Sequence, residues 1–341
     1  MPPKKNKNSR ITIEDIAQIA QVSKATVSYV INDKPGVSEP VRNKIKNIIE
    51  ETNYFPNSAA RGLAGEKTHF VGLVIPDISD MFYANIIRGV EKTLNKKDYL
   101  LNLFTTHARP EREQQVVRLL NKSMVDGLII MAYFITDNFI KSLKERDIPF
   151  VFIDYPPKDE DIYSVMVDNE NGAFEATEYL IKLGHKKIAF LEGPQVAWDS
   201  KARFKGYLKA LKTHGIKFNQ ELVENGNFTK EEGYTATKRL LEKGEKFTAI
   251  FSSNDQMAIG AMRALKESGY KIPTDVSTIG FDNIEASSII EPPLTTVSQP
   301  IYEMGKKAVD IITALINGET IEEKRYLLKT KLIERQSCTR I

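Results

Sequence analysis

Four carboxylates stand directly behind short apolar runs in this 341-residue chain. Asp77 follows VGLVIP, Asp154 follows FVFI, Asp255 follows IFSSN and Asp282 follows IGF. In an open α/β sheet, ligands bind outside the carboxyl ends of the strands. Acids placed there can form bidentate hydrogen bonds to the hydroxyls of a polyol. Each could equally cap the helix after it; four in one chain favour a binding role. No catalytic set accompanies them. His69, His107, His185 and His214 are scattered without metal-ligand spacing, and His185, just ahead of a strand, reads as structural. Cys338 has no evident base, and no G-x-S-x-G elbow is present. GLAGEKT has the wrong glycine spacing for a phosphate loop and no strand before it. The residues point to a binding protein with no catalytic residues, metal site or cofactor.

The elements that must position those acids alternate in type. Apolar runs at 70–75, 100–104, 127–131, 150–153, 165–167, 188–191, 249–251 and 278–281 predict strands. Amphipathic patterns at 83–96, 111–122, 172–183, 203–212, 232–242 and 257–268 predict helices between them. Such alternation predicts parallel sheets covered by helices, with about ten strands shared between two similar halves.

The first sixty residues read differently. Thr12 with Asp15 three positions on predicts a capped helix start, with Ile13, Ile16, Ala17 and Ala20 at helical spacing. Ser23 opens a second helix lined by Val27, Val30 and Ile31; Asn32 to Gly36 breaks it. Ser38, with Pro40 in the first turn, opens a third lined by Val41, Ile45, Ile48 and Ile49. Two short helices joined by about three residues, with a third across them, is the helix-turn-helix plan. The second helix, which would enter the major groove, carries Ser23, Lys24, Ala25, Thr26, Ser28 and Tyr29 on its polar side. Hydroxylated residues near its start suit phosphate contacts.

Charge supports this division. Residues 1–67 carry 11 Lys/Arg against 7 Asp/Glu, and the remainder 37 against 38, so the positive excess sits at the front, as a polyanion-binding head would have it. No signal peptide and no apolar run long enough to span a membrane is visible, and the single cysteine fits a reducing compartment; a cytoplasmic protein is expected.

The segment ITIEDIAQIAQVSKATVSYVINDKPGVSEPVRNKIKNIIEETNYFPNSAARGLAG resembles the headpiece and hinge of the lactose-repressor (LacI/GalR) family of bacterial regulators, with "VS..TVS.VIN", "Y.PN..A" and "LAG" in register. The resemblance continues through nearly the whole chain. It implies a small all-α helix-turn-helix headpiece over residues 1–57, a hinge over 58–67, and an α/β two-lobed periplasmic-binding-protein-like core with parallel sheets over 68–341. The core's N-subdomain would take about 68–167 and 299–327, and its C-subdomain about 168–298 and 328–341. It places Lys24, Ala25 and Tyr29 at base-reading positions and Ser23, Thr26, Ser28, Asn32 and Asn57 at phosphate-contacting ones. Leu63 matches the leucine wedged into the minor groove at the operator centre, which kinks the duplex. Helix 58–63 is under two turns and contains Gly62, so it is expected to fold only with DNA and a partner hinge present.

In the core, SNDQMAIGAMRALKESG and GFDN…PPLTTVSQP are similar to the same family. The resemblance implies an effector in the cleft between the lobes, clamped by Arg203 of ARFKGY. Asn254, Asp282 and Gln299 match polar effector contacts, with Asp154 on the facing lobe; Asp77 joins them as a post-strand acid. Phe82, Tyr155, Phe228 and Trp198 (the only tryptophan) fall at cleft-wall positions. Aromatic faces beside carboxylates suit a sugar, although they would stack a purine equally well.

IPDISDMFYANIIRGVEK and ARGLAGEKT look like the catabolite-control branch, which binds a serine-phosphorylated phosphocarrier protein through an arginine in the helix after "QP". Here Asp310 takes that arginine's place and would repel the phosphate, unless Lys306 or Lys307 in the same helix compensates. No leucine heptads follow the core, so a homodimer on a near-palindromic operator is expected rather than a tetramer. The expected partners are double-stranded operator DNA, a small-molecule effector, a carbohydrate above others, and a second copy of the chain, with no membrane. A transport solute-binding protein would need a signal peptide and no helix-turn-helix. An α/β enzyme acting on a sugar would need a base or nucleophile in the cleft.

Overall fold

The computed structural model describes residues 11–31, 33–54, 67–120 and 124–341. Asn32, Asn57, Leu63 and nearly all of the expected hinge lie outside the described residues. The chain divides into two compact units, Met1–Thr68 and His69–Ile341.

The first unit holds three helices: α1 (Ile13–Ala20), α2 (Lys24–Ile31) and α3 (Glu39–Glu51). Thr12 and Asp15 close the expected capping box, each side chain meeting the other residue's backbone N–H. Gln21, left-handed at φ 57°, turns the chain toward α2. Ser38 stands at the N-cap position of α3, but its side chain makes no cap hydrogen bond there. Ile16, Ala20, Val27, Val30, Ile45 and Ile48 form the shared core, the residues that the helical spacing singled out.

The second unit begins with β1 (Phe70–Ile75), α4 (Met81–Asn95), β2 (Leu100–Thr105), α5 (Pro110–Leu119), β3 (Gly127–Ile130), α6 (Asp137–Lys144), β4 (Phe150–Ile153) and β5 (Tyr163–Val167). A second run follows: α7 (Asn169–Lys182), β6 (Ile188–Glu192), α8 (Trp198–Thr213), β7 (Val223–Asn225), α9 (Lys230–Glu242), β8 (Ala249–Ser252), α10 (Asp255–Glu267), β9 (Ser277–Asp282), α11 (Glu285–Ile289) and β10 (Thr295–Ser298). The chain then returns through α12 (Ile301–Ile316), β11 (Arg325–Leu328) and β12 (Lys331–Ile333).

The strands form two six-stranded sheets, ordered β11-β5-β4-β3-β1-β2 and β12-β10-β9-β8-β6-β7. Every pairing is parallel except β12 on β10. The inner strands of each sheet are buried on both faces. In β4, Val151 and Ile153 face the helices α4 and α12 while Phe152 faces α5 and α6. In the second sheet Phe190 and Phe251 face α7 and α8, and Leu191 and Ile250 face α9 and α10. Each such side chain removed from water stabilises the fold by roughly 1.5–3 kcal/mol. Helices α4 and α12 meet backbone to backbone. A Cβ on Gly89 would lie 2.4 Å from the Tyr302 carbonyl oxygen, and one on Gly305 would lie 2.7 Å from that of Ile86.

The two sheets repeat one topology. In each, the second strand lies to one side of the first and the third to the other, which makes a switch point between β1 and β3 and another between β6 and β8. Crevices open at the carboxyl ends of strands at such points.

Candidate functional site

In the first unit, α2 is two-sided. Val27 and Val30 are buried; Lys24, Ala25 and Tyr29 are exposed on the opposite side, Tyr29 by 45 %. The Ser23 hydroxyl accepts from the Thr26 backbone N–H at 3.1 Å and lies 2.9 Å from the Thr26 hydroxyl, which starts the helix. Lys24 Nζ donates to Glu14 at 2.9 Å, but both side chains are well exposed, so the pair is weak and can yield to a stronger anion. Lys34 Nζ sits 5.8 Å from the centre of the Tyr29 ring. A short helix with small, cationic and aromatic side chains along its exposed side fits the major groove.

In the second unit the two switch points face one another across a cavity of about 620 Å³. Pro76 and Asp77 enter it from the end of β1, Tyr133 and Phe134 from the end of β3, Pro194 from the end of β6, and Gln256 from beyond β8. Deeper in, a space of about 20 Å³ is bounded by Asp80, Phe82, Asp199, Arg203, Phe228 and Asp282, among others.

Arg203 is the hub. It lies on α8, is 2 % exposed, and is the largest fully buried side chain among the described residues. Its Nε donates to Asn169 Oδ1 at 2.9 Å and one terminal nitrogen donates to the Ser253 carbonyl at 2.6 Å. Asp199, one turn earlier on α8, lies 3.4 Å from it and Asp282 lies 3.6 Å from it. The guanidinium stacks over Phe281 at 4.1 Å and faces Phe228 at 5.7 Å. Asn169 passes the network to Asp154, donating to both carboxylate oxygens at 3.0 and 3.3 Å. Gln299 Nε2 donates to Asp282 Oδ1 at 2.6 Å, while its own buried Oε1 meets no partner.

The acids respond to this environment. Burial pushes the Asp154 carboxyl up to about 7, with Asp199 adding to the rise and Arg203 opposing it. Burial lifts Asp282 well above the carboxylate range against the pull of Arg203, and raises Asp80 despite its bond from the Phe82 N–H. Asp77 moves the other way, held down by the backbone and hydroxyl of Ser79. The backbone is special at the same places: Asp154, Phe228 and Asp282 have φ of 55°, 64° and 116°. Left-handed non-glycine residues cost of order 1–3 kcal/mol each and cluster at functional sites.

Of the residues expected from sequence, Phe82, Arg203, Phe228, Asn254 and Asp282 line the inner space. Asp77 lines the outer cavity, and Asp154 and Gln299 join through Asn169 and Asp282. Asn254 is fully engaged: it caps α10 through Met257 N–H and donates to the Phe228 carbonyl at 3.0 Å. Tyr155 packs edge-on against Phe152, and Trp198 stands 48 % exposed at the start of α8; neither lines these cavities. The fourth post-strand acid, Asp255, is structural, accepting from the Thr296 hydroxyl at 2.6 Å and the Ile284 N–H at 2.9 Å. His185 is structural too, its ring nitrogens 2.9 Å from the Thr248 hydroxyl and 3.1 Å from the Thr339 carbonyl. Sequence reasoning missed Asp80, Tyr83, Tyr133, Asn169 and Asp199. Only Asp199, four residues before Arg203 on one helix, carried a readable signal.

Residues 12–57 match the family described as bacterial regulatory proteins, lacI family, and residues 68–336 match the periplasmic binding proteins and sugar binding domain of the LacI family. The chain is 37 % identical over 328 residues to catabolite control protein A of Priestia megaterium, covering 96 % of this chain and 99 % of that one. It is 35 % identical over 327 residues to the transcriptional repressor PurR of Vibrio atlanticus, covering 96 % and 98 %. The lac repressor dimer bound to operator and the anti-inducer ONPF superposes with TM-score 0.84 at 30 % identity over 97 % of this chain and all of that one. The CelR–cellobiose complex superposes at 0.75 and 32 % identity over 96 % and 100 %. These relatives are regulators, not enzymes, in line with the absence of a catalytic pattern in the sequence. The exposed side of α2, the facing switch points and these matches lead to one conclusion: the chain is a DNA-binding transcription regulator with an effector-binding core and belongs to the LacI family.

Proposed function

We propose that this regulator is a cytoplasmic repressor that binds a near-palindromic operator as a homodimer and releases it when a carbohydrate occupies the cleft around Arg203. The observation that carries the effector reading is the buried Arg203 network, set where both switch points converge on one cavity. Carboxylates, amides and a guanidinium beside phenyl rings match the hydroxyls and C–H face of a sugar. Residues 1–57 read the DNA, 58–67 link, and 68–341 sense. Lys24, Ala25 and Tyr29 address base edges and Leu63 wedges at the centre; Ser23, Thr26, Ser28, Asn32 and Asn57 hold phosphates. A sugar that prefers one arrangement of the lobes shifts the population by its differential affinity, and paired hinges carry that shift to the DNA.

A phosphorylated protein co-regulator fits less well. Asp310, on α12, points its carboxylate at Lys97, 3.1 Å away, and adds negative charge where a phosphate would have to dock. Selection of operators from random duplexes, then anisotropy titration of the full chain with and without sugars, tests the proposal. A two-fold-symmetric consensus released by a sugar is the expected result; an asymmetric consensus, or release by no sugar, refutes it.

A further inference from the structure

The space beside Arg203 has two parts. The inner one, about 20 Å³, is little more than room for a water molecule. The outer one, about 620 Å³, has the size of an ordinary small-molecule site, roughly 300–1,000 Å³. Asp80, Tyr83, Tyr133 and Phe228 line both, so the two are ends of one cleft. What parts them is made of side chains: the Tyr83 and Tyr133 hydroxyls, 2.9 Å apart, and the Phe228 ring, 6.4 Å from that of Tyr133. Tyr83 and Tyr133 belong to the lobe of β1–β5 and Phe228 to that of β6–β10, so separating the lobes opens the partition. Beyond it, the outer chamber presents Asp77, His107 and Phe134 from the first lobe and Lys230, Glu231 and Gln256 from the second.

Resting on the carbohydrate reading above, we infer that the outer chamber is a sugar site for more than one ring, and that the effector is an uncharged saccharide of at least two rings that fills it and reaches toward Arg203 at its inner end. One ring held in the outer chamber would leave the Arg203 network untouched. A single ring would also fill only part of a chamber of about 620 Å³. A chain of two rings fills it and reaches toward that network.

Charge argues for an uncharged ligand. The inner wall sets Asp80, Asp199 and Asp282 against Arg203 alone. A phosphate is best bound by a free guanidinium fork. Here the fork is already committed to Asn169, the Ser253 carbonyl and two carboxylates. The outer chamber is no more welcoming: Asp77 and Glu231 stand against Lys230, whose Nζ lies 3.9 Å from Glu231. Hydroxyls, which donate to carboxyls and accept from an ammonium or an amide, suit the acids, Lys230 and Gln256 that line the cleft.

Calorimetric titration of the full-length protein tests this, with glucose, galactose and xylose beside cellobiose, maltose, lactose and xylobiose, and with glucose 6-phosphate and hypoxanthine as controls. At least one disaccharide is expected to bind about tenfold or more tighter than its own monosaccharides, and glucose 6-phosphate no tighter than glucose. The double variant Lys230→Ala/Gln256→Ala should erase most of that gain. A monosaccharide as tight as its dimers, or glucose 6-phosphate tighter than glucose, overturns the two-ring uncharged effector while carbohydrate control stands. Hypoxanthine binding, or silence from every saccharide, overturns the carbohydrate reading and this inference with it.

Discussion

Replacing Arg203 by methionine keeps a long side chain in its cavity and removes the charge and all five N–H donors. The Ser253 carbonyl and Asn169 Oδ1 lose their donor, and Asp282 and Asp199 lose their counter-charge. Removing one partner of a buried ion pair costs about 3–5 kcal/mol. Asp282 is already driven toward its neutral form by burial, so the lower end applies, about 3 kcal/mol. For a domain of this size, that lowers Tm by about 6–12 °C. The loss should depend on pH. Asp154 and Asp282 have folded values above the usual 3.8, and without Arg203 both rise further. A carboxyl whose folded value is raised contributes stability that is complete below about pH 4 and lost as pH climbs through the folded value. The Arg203→Met deficit should therefore be larger at pH 8 than at pH 5. Thermal unfolding at both pH values, with operator titrations in the presence of an effector sugar, measures the consequences. The variant should keep its DNA affinity and lose its sugar response. A normal dose response, or a deficit equal at both pH values, would refute the assignment of Arg203 as the hub.

Glu113, on α5, accepts from the Tyr133 and Phe134 backbone N–H groups at 3.1 and 2.9 Å, and burial pushes its carboxyl up to about 7. Glu113→Gln leaves one N–H facing an amide donor, at a cost of about 1–3 kcal/mol. It also removes the part of the stability that declines between pH 4.5 and 7, so denaturation across that range should show a shallower slope; an unchanged slope would contradict the raised value. Ile45→Ala opens a hole in the small three-helix core at a cost of about 2–5 kcal/mol. It should abolish operator binding while the core keeps its Tm and its sugar affinity, as circular dichroism and calorimetry would register. Leu63→Ala should weaken operator binding in anisotropy titrations and spare sugar binding; unchanged operator affinity would end the wedge assignment.

Where burial follows apolar pattern, the sequence could be read. All eight predicted strands fall within two residues of observed ones; seven of their runs are largely buried, and β2, at a sheet edge and partly exposed, was marked by its apolar residues alone. The strands β7, β10, β11 and β12 escaped notice for physical reasons. VEN, RYLL and KLI are short and carry charged residues, and β7, β11 and β12 lie at sheet edges. The fourth, β10, is internal and buried, but reads TTVS: its threonines bond inward, Thr296 to Asp255, where an apolar run would have shown. Helix α8 begins five residues before its amphipathic pattern, which is how Trp198 and Asp199 come to its first turn. The site divides along the same line. Acids at strand ends were legible from position alone. Tyr133 and Asn169 matter through contacts with Phe228 and Arg203, 95 and 34 positions away, and no local pattern marks that.

The order of elements along the chain also bears on synthesis. The first lobe is begun by residue 70, yet α12, which covers β3, β4 and β5, arrives only after residue 300, and its last strand β11 at 325–328. At about 5–20 residues per second, the apolar face destined for α12 waits on the order of ten seconds while the whole second lobe is made. The second lobe waits in turn for β12. The three-helix unit has all its core residues by residue 54. A ribosome that stalled before codon 325 would thus release a finished DNA-reading head attached to a body with both sheets incomplete, a species able to compete for operators, deaf to the effector, and prone to aggregate.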